Sequence, residues 1–402
     1  MTMSPWLSII GVGDGGASML PSNAHALLGE AELIVGGNRH LALIGDWAGE
    51  KMVWPSPMTD ALHRILAMRG RPVVVLASGD PFFFGVGELL SRHVSREEIF
   101  CVPAPSAFSL AAAQLKWSQQ SCALLSLHGR AFERLLPQLQ PGRRLIVLSW
   151  DETTPARIAA YLAQADMGDS RIYVLEHIGG ARQRVRDTLA KDFCFDDIAP
   201  LNTVGIEVSA GPHARIIPRV AGLPDDWFEN DGQLTKSEIR ALTLSALAPR
   251  QGELLWDIGA GSGSIAIEWM LADPANRAIA IERDATRSAR IARNALALGA
   301  PDLTIVTGAA PDALTGLETP DAIFVGGGAT PETLSMAWRA LPAHGRLVVN
   351  AVTIETQQVL AQFYREKGGR LLQVQVARAR PVGRFHGFDP GMTVTQWCGS
   401  KQ

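Results

Sequence analysis

Several short stretches set glycines beside an acid or aromatics directly after an apolar, β-branched run, and these are where the sequence could place chemistry. In LLWDIGAGSGS, Asp257 precedes Gly259, Gly261 and Gly263, and a helical pattern starts at Ser264. Glycine allows a sharp turn and lets a ligand approach the backbone, while the following helix N-terminus is electropositive. The spacing is GxGxG, with Ser264 where a dinucleotide fingerprint has its third glycine, and Asp257 would repel a pyrophosphate. Glu282 ends the next apolar run about twenty residues on, where an acid can accept both ribose hydroxyls of a nucleoside. Asp312 follows the third run and Asp321 opens the fourth, which ends in FVGGGA, Phe324 to Ala329. Its three glycines make a floor poor in side chains, with Gly327 at the centre, suited to a bulky substrate lying against backbone.

The first half carries LASGDPFFFG, with Gly79, Asp80 and Pro81 closing a run ahead of three phenylalanines. As bare physics this is a turn whose aromatics pack. Cations concentrate late in the chain, in RARPVGRFHGFDP, where Arg378, Arg380, Arg384 and His386 form either a solvated basic edge or a patch for carboxylates, which arginine forks match bidentately. Arg39 and His40 follow a glycine turn and read either as a surface pair or as a similar patch.

The elements that must position these groups alternate. Trp6–Gly13 reads as a strand running into a Gly15–Gly16 turn, and further strands are expected at Leu33–Val35, Val73–Ala77, Cys122–Leu127, Leu145–Leu148, Ile172–Leu175 and Thr203–Val208. Helical stretches such as Ser106–Leu115 and Pro155–Ala165 lie between them, so an α/β layered domain is expected over 1–210. Prolines 212, 218 and 224 and the acidic DDWFEND stretch then break the rhythm, which places a linker at 211–230 with the boundary near Gly222. A second domain, 231–402, opens on a helix from Thr235 to Leu247 in which Thr235 and Glu238 have capping-box spacing. Strands and helices alternate after it and finish in a hairpin-like pair, the pattern of a doubly wound, Rossmann-like sheet.

Composition removes several function classes. Of 402 residues, 47% are hydrophobic and 19% charged, which supports buried cores and excludes a disordered chain. Thirty-seven basic residues against 40 acidic ones leave a net charge of −3, without the broad positive field of a nucleic-acid binder. Cys101, Cys122, Cys194 and Cys398 form no CxxC pair, and the nine histidines form no HxH or HExxH pattern, so no metal site is expected. His25, His63, His93, His177, His213 and His344 read as surface or core residues. With no apolar run of about 18 residues, no membrane association and a cytoplasmic location are expected.

In order, GVGDGG, SGDPFFFG, VPAPSAFSLAAAQL and SLHGR resemble the tetrapyrrole methylases, which bind S-adenosylmethionine in a cleft between two α/β subdomains. The resemblance covers about the first 210 residues. By position it implies a cofactor loop of Gly79, Asp80 and Phe83, with Ser106, Ala107 and the backbone near Leu127 and His128 on the other side. Phe83 or Phe84 stands where many relatives have tyrosine, which alters the pocket wall. The second half, GQLTKSEIRALTLSAL leading into DIGAGSG, resembles the class I S-adenosylmethionine-dependent methyltransferases of cobalamin synthesis. There it implies cofactor contacts from Asp257, Gly259, Gly261, Gly263, Glu282, Asp312 and Asp321. Gln233, Lys236 and Arg240 would stand at a lid over the pocket.

The fusion implies two S-adenosylmethionine sites per chain and a reduced precorrin-6 tetrapyrrole as substrate. It also implies methylation of carbons 5 and 15, decarboxylation of the ring C acetate to give precorrin-8, and a homo-oligomer. Carbon 5 would belong to the first domain, and carbon 15 with the decarboxylation to the second. Gln233, Lys236 and His128 are the implied catalytic candidates, and Arg39, His40, Arg240, Gly327, Arg378, Arg380 and Arg384 the implied substrate contacts. An RNA methyltransferase, or a corrinoid- or nucleotide-sensing scaffold with one inactive site, are the alternatives.

Overall fold

The computed structural model describes residues 5–402 except 56 and 58. Compact units form from residues up to Arg130 together with Gln140–Arg215, and from Ala131–Leu139 together with Ile216–Gln402.

The first unit contains two five-stranded sheets. One has the order β3-β2-β4-β1-β5 and is built from β1 (Leu7–Val12), β2 (Leu33–Gly36), β3 (Glu50–Val53), β4 (Val73–Ser78) and β5 (Ile99–Val102). All its pairings are parallel. LSIIGV of β1 is buried along its length and β4 nearly so, as expected of central parallel strands covered on both faces. Leu7, Ile9, Val73 and Val75 point into one core and Ile10, Val12, Val74 and Leu76 into the other. The other sheet has the order β6-β7-β10-β8-β9, from β6 (Cys122–Ser126), β7 (Arg144–Leu148), β8 (Arg171–Glu176), β9 (Arg184–Leu189) and β10 (Asn202–Glu207). Only β6 and β7 are parallel. The edge strand β9 has no counterpart among the strands expected from the sequence, because RVRDTL alternates charge and presents no apolar run.

The second unit is a seven-stranded sheet in the order β13-β12-β11-β14-β15-β19-β16. Its strands are β11 (Leu254–Ile258), β12 (Arg277–Glu282), β13 (Thr304–Thr307), β14 (Ala322–Val325), β15 (Arg346–Ala351), β16 (Arg370–Val374) and β19 (Val394–Ser400). The first five are parallel and β19 runs antiparallel between β15 and β16. A two-stranded ribbon, β17 (Ala377–Val382) with β18 (Phe385–Pro390), is inserted ahead of β19. The strand order reverses beside β11, and in open α/β sheets ligands sit at the carboxyl ends of strands at such a switch point.

Two local expectations are corrected. The segment expected to be a linker folds into the second unit from Ile216 onward: Ile217, Leu223 and Phe228 are buried in the same core as Leu255 and Ile265. It forms one short 3₁₀ turn, Asp225–Trp227, after Pro224, and ahead of that turn Gly222 N and Leu223 N donate to Glu268 at 2.6 and 2.9 Å. The capping box at Thr235 does not form. The helix begins at Ser237 with Lys236 as its N-cap and no side-chain cap, and Glu238 turns to Arg378 instead. Among the described residues no helix is long and apolar enough to cross a membrane, and no group of three His, Cys, Asp or Glu is placed to hold a metal ion.

Candidate active sites

The second unit carries a cavity of ≈ 1050 Å³ lined by the loops that follow β11, β12, β14 and β15, by Gly232–Lys236, and by the β17–β18 ribbon. Gly259, Gly261 and Gly263 all adopt left-handed φ, +70°, +61° and +78°. A Cβ at Gly259 would lie 2.7 to 2.9 Å from the backbone of Gly327, and one at Gly263 would lie 2.7 Å from Ile291. The GxGxG loop and the GGG loop are therefore stacked backbone on backbone, a packing only glycine permits.

Glu282 sits at the end of β12 on the cavity wall, 4% exposed, and accepts from Gly261 N (2.8 Å) and Asp284 N (3.0 Å). Its remaining lone pairs leave acceptor capacity for a diol. Asp257 lies one layer behind the cavity, 1% exposed, with Oδ2 accepting from Ala266 N at 3.1 Å and Oδ1 without a partner. Burial, with a smaller contribution from the charge of Glu282, raises its pKa to about 7. A curved glycine cradle, a strand-end acid and a buried acid beneath them suit an adenosyl sulfonium amino acid, which brings hydroxyls and an ammonium group and no phosphate.

Gln233, Lys236, Gly327, Arg378 and Arg380 line the same cavity. Asp312, Asp321, Arg240 and Arg384 do not. Asp321 stands at the amino end of β14, away from the strand ends that form the cavity, and its Oδ2 accepts from Leu254 N at 2.8 Å. Asp312 is exposed in a short 3₁₀ turn beyond the cavity wall. Arg384 is at the ribbon tip, its guanidinium 5.2 Å from the Phe385 ring. Arg240 is fully buried: Nε donates to Glu268 Oε1 at 2.5 Å, the other nitrogens reach Asp225 and the carbonyls of Leu223 and Thr235, and the group lies 4.7 Å over Phe228. It ties down the segment forming one wall of the cavity rather than facing a substrate.

The ribbon was legible only as a charge cluster. Arg378 pairs with Glu238 and with Asp225 (3.3 Å), and Arg380 with Asp389 (3.1 Å). Lys236 Nζ is 4.0 Å from Asp225 Oδ2. These cations sit beside the cavity in exposed pairs, which exchange partners at little cost when a ligand carboxylate arrives.

In the first unit the loops after β1, β4 and β5 converge. A Cβ at Gly11 would meet Gly79 O at 1.9 Å and Ala104 N at 2.6 Å, and one at Gly79, whose φ is +58°, would meet Ser106 Cα at 2.9 Å. Ser106 caps the helix Ala107–Leu115, accepting from Ser109 N at 3.1 Å. Asp80 Oδ1 accepts from Phe82 N, so its carboxylate shapes its own turn. Phe83 is 37% exposed with its ring 5.1 Å from Phe108, and Phe84 packs beside both under the Arg130 guanidinium. The Leu127 side chain is buried, so only its backbone is available, and its N–H donates to Leu148 O. His128 is exposed with its ring 5.8 Å from Trp150 and no polar partner among the described residues.

Arg39 and His40 are not a loose surface pair. Arg39 donates to Asp14 Oδ1 (3.2 Å) and Ser78 Oγ (3.1 Å), and His40 Nε2 lies 2.8 Å from Ser78 Oγ. Burial, aided by the neighbouring Arg39 charge, lowers the pKa of His40 to about 4. Asp14 also meets His177 Nδ1 at 3.1 Å. Sequence reasoning missed Asp14, Ser78 and His177. Asp14 lies inside the GVGDGG motif, but only its glycines attracted attention, and nothing in the spacing joins it to a histidine 163 residues away.

The family described as Tetrapyrrole (Corrin/Porphyrin) Methylases matches residues 7–194, and that described as Precorrin methyltransferase domain matches residues 226–401. A Sinorhizobium protein named Precorrin-6Y C(5,15)-methyltransferase [decarboxylating] is 50% identical over 401 residues, 99% of this chain and 97% of that protein. A protein of the same name from Mycobacterium tuberculosis is 39% identical over 98% of this chain and 99% of its own length. The Cobalt-precorrin-7 C(5)-methyltransferase of Salmonella typhimurium is 29% identical over 44% of this chain and 88% of its own. With half its residues identical to a relative along nearly all of both chains, this chain belongs to the precorrin-6Y C(5,15)-methyltransferase (decarboxylating) family of S-adenosylmethionine-dependent methyltransferases.

Proposed function

We propose that the chain methylates carbons 5 and 15 of a reduced precorrin-6 tetrapyrrole and removes the ring C acetate carboxylate as carbon dioxide, giving precorrin-8. Carbon 5 falls to the first unit, and carbon 15 and the decarboxylation to the second, which takes in the chain from Ile216 onward. The observation that carries this reading is the ≈ 1050 Å³ cavity of the second unit, roomy enough for a macrocycle beside a cofactor, with a glycine floor and a rim of arginines. The sensitivity of a bound carboxylate to desolvation gives the decarboxylation its driving environment.

S-adenosylmethionine, when bound, supplies an electrophilic methyl group, and an electron-rich enamine carbon of the ring is the nucleophile, so no metal is required. In the second unit Gly259–Gly263 and Glu282 would hold the adenosyl methionine, with Asp257 behind them. Gly326–Gly328 would let the flat ring lie against backbone, while Lys236, Arg378 and Arg380 pair with its peripheral carboxylates and Gln233 closes the entrance. In the first unit Gly79, Asp80, Phe83, Ser106, Ala107 and the Leu127 backbone would form the second cofactor site, beside Arg39 and His40. The Salmonella relative, 88% of which aligns with only 44% of this chain, supports a carbon-5 activity separable from the rest. A cytoplasmic location and a homo-oligomer go with the reading.

Mass spectrometry of products formed from reduced precorrin-6 and S-adenosylmethionine tests it. The full chain should yield a doubly methylated, decarboxylated tetrapyrrole. A product with no added methyl, from folded protein, would end the proposal.

A further inference from the structure

Charge balance separates the carbon-5 transfer from the carbon-15 transfer, and the inference drawn from it rests on the proposed assignment of one to each unit. When a ring carbon bonds to the sulfonium methyl, the sulfur–methyl bond breaks and sulfur keeps its electron pair. The ring has given up a π pair and carries one positive charge. Where decarboxylation accompanies the transfer, the carbon–carbon pair released with carbon dioxide flows into the ring and cancels that charge, and the proton that turns the remaining methylene into a methyl group is matched by one the ring gives up, so no net proton is released. Where methylation stands alone, a ring C–H or N–H bond must break and some group must take the proton.

The second unit suits the first case. Of the acids lining its cavity, Glu238 pairs with Arg378, Asp389 with Arg380, and Glu282 accepts from two amides; no histidine is among the lining residues. The first unit holds something else. His177 directly follows β8 and Asp14 follows β1, so a strand end of each sheet contributes to one pair. Asp14 Oδ2 is 3.1 Å from His177 Nδ1, with side-chain exposures of 9% and 15%. Asp14 is itself fixed by Arg39, which also reaches Ser78, the residue before Gly79. The loop carrying His177 is pressed into place, since a Cβ at Gly180 would lie 2.4 Å from Asp14 Oδ2 and one at Gly179 would lie 3.2 Å from Leu110 of the helix that Ser106 caps. The pair is thus wired to the Gly79 loop on one side and to the Ser106 helix on the other.

We propose that His177, oriented by Asp14, accepts the proton released by the methyl transfer in the first unit. The charged groups facing the imidazole are Asp14, Arg182, whose Nη2 is 3.5 Å from Nδ1, and, beyond Asp14, Arg39. Asp14 is the nearer partner, so it fixes the proton on Nδ1 and leaves the Nε2 lone pair free; Nε2 bonds to no described group. In the step, the ring C–H or N–H pair returns to the macrocycle, an N–H bond forms at Nε2, and the imidazolium rests against the Asp14 carboxylate until water removes the proton. His40 is unsuited to this work, because burial holds its pKa near 4. Asp14 is the positioning residue and His177 the base.

The φ of His177 is +48°, a conformation glycine adopts freely, so His177→Gly in the full chain is the test variant. It should bind two equivalents of S-adenosylhomocysteine by calorimetry and accumulate a singly methylated, decarboxylated tetrapyrrole. Its carbon-5 rate should fall about 10²-fold or more and recover with added imidazole. The pH profile of the carbon-5 rate should change shape in His177→Gly, and Asp14→Asn should lower its plateau while both equivalents still bind. Carbon-5 methylation at the normal rate in His177→Gly, or a loss that imidazole fails to restore while both equivalents bind, overturns the proposal and leaves the assignment of function intact. Failure of the unsubstituted chain to methylate at all would remove the assignment itself.

Discussion

Asp257 is fully enclosed near the carboxyl end of β11, with no partner for its Oδ1 among the described residues, and burial favours its protonated form and lifts its pKa to about 7. Between the ordinary carboxylate range and pH 7 the folded chain then holds a proton that the unfolded chain has lost. This group's contribution must make stability fall as pH rises through that window and level off above it. Thermal melts of the unsubstituted chain and of Asp257→Asn from pH 5 to 8 should differ by this slope, the advantage of the unsubstituted chain shrinking as pH rises. Glu238 and Asp231 act in the opposite sense: Arg378 and Arg290 with Arg287 hold their pKa values down to about 2, so the stabilisation they give is present above the ordinary carboxylate range and is lost as pH falls through it towards 2. His40, held near 4 by burial, makes stability rise with pH over part of the same range, and it is common to both chains, so the difference between their melts isolates Asp257. Arg240 offers a second prediction at this scale. Arg240→Ala leaves Glu268 buried without its cation and frees the carbonyls of Leu223 and Thr235, which should cost roughly 3–5 kcal/mol in urea unfolding. Both behaviours follow from burial. The sequence supplied the residue types; only packing decided that Arg240 faces a glutamate and not a substrate.

The glycine loops and the ribbon act as elements. Gly261 has a φ of +61° and, unlike Gly259, would meet nothing nearer than Gln233 O at 3.6 Å, so a substituent there enters the cavity instead of splitting the stacked loops. Gly261→Arg should therefore fold with a backbone strain of about 1 kcal/mol, lose one equivalent of S-adenosylhomocysteine in calorimetry, and yield a singly methylated product that keeps its carboxylate. Loss of both methylations from folded protein would contradict two separate sites. The ribbon's cations are exposed, with side-chain exposures of 63% for Arg380 and 50% for Arg378. Arg380→Ala should leave the melting temperature in place and raise the KM for the polycarboxylate substrate severalfold. The strand–glycine–helix signatures of β1, β4 and β11 were plain in the sequence because central parallel strands are continuous apolar runs ending on a required turn. The edge strand β9 and the β17–β18 ribbon were not, since strands open to solvent carry charge and lose that periodicity.

At the scale of the whole molecule, each unit ends its central strands in a glycine-lined loop cluster, and the two clusters differ in construction. If each holds a cofactor, the full chain should bind two equivalents of S-adenosylhomocysteine, and a single equivalent in calorimetry would reduce the scheme to one working site. By itself the sequence determined the alternation of strands and helices, the presence of two α/β bodies, the two glycine motifs and the family resemblance. All of these are local patterns, or the order of local patterns, along the chain. Tertiary structure decided where the second body begins, that Asp321 serves the far end of its sheet, and that Asp312 and Arg384 stay outside the cavity. It also brought Asp14 to His177. The physical reason is the same in each case. Which end of a strand a residue occupies, which face it shows and which distant loop it meets are set by the pairing of strands and the burial of side chains, and linear spacing carries no record of either.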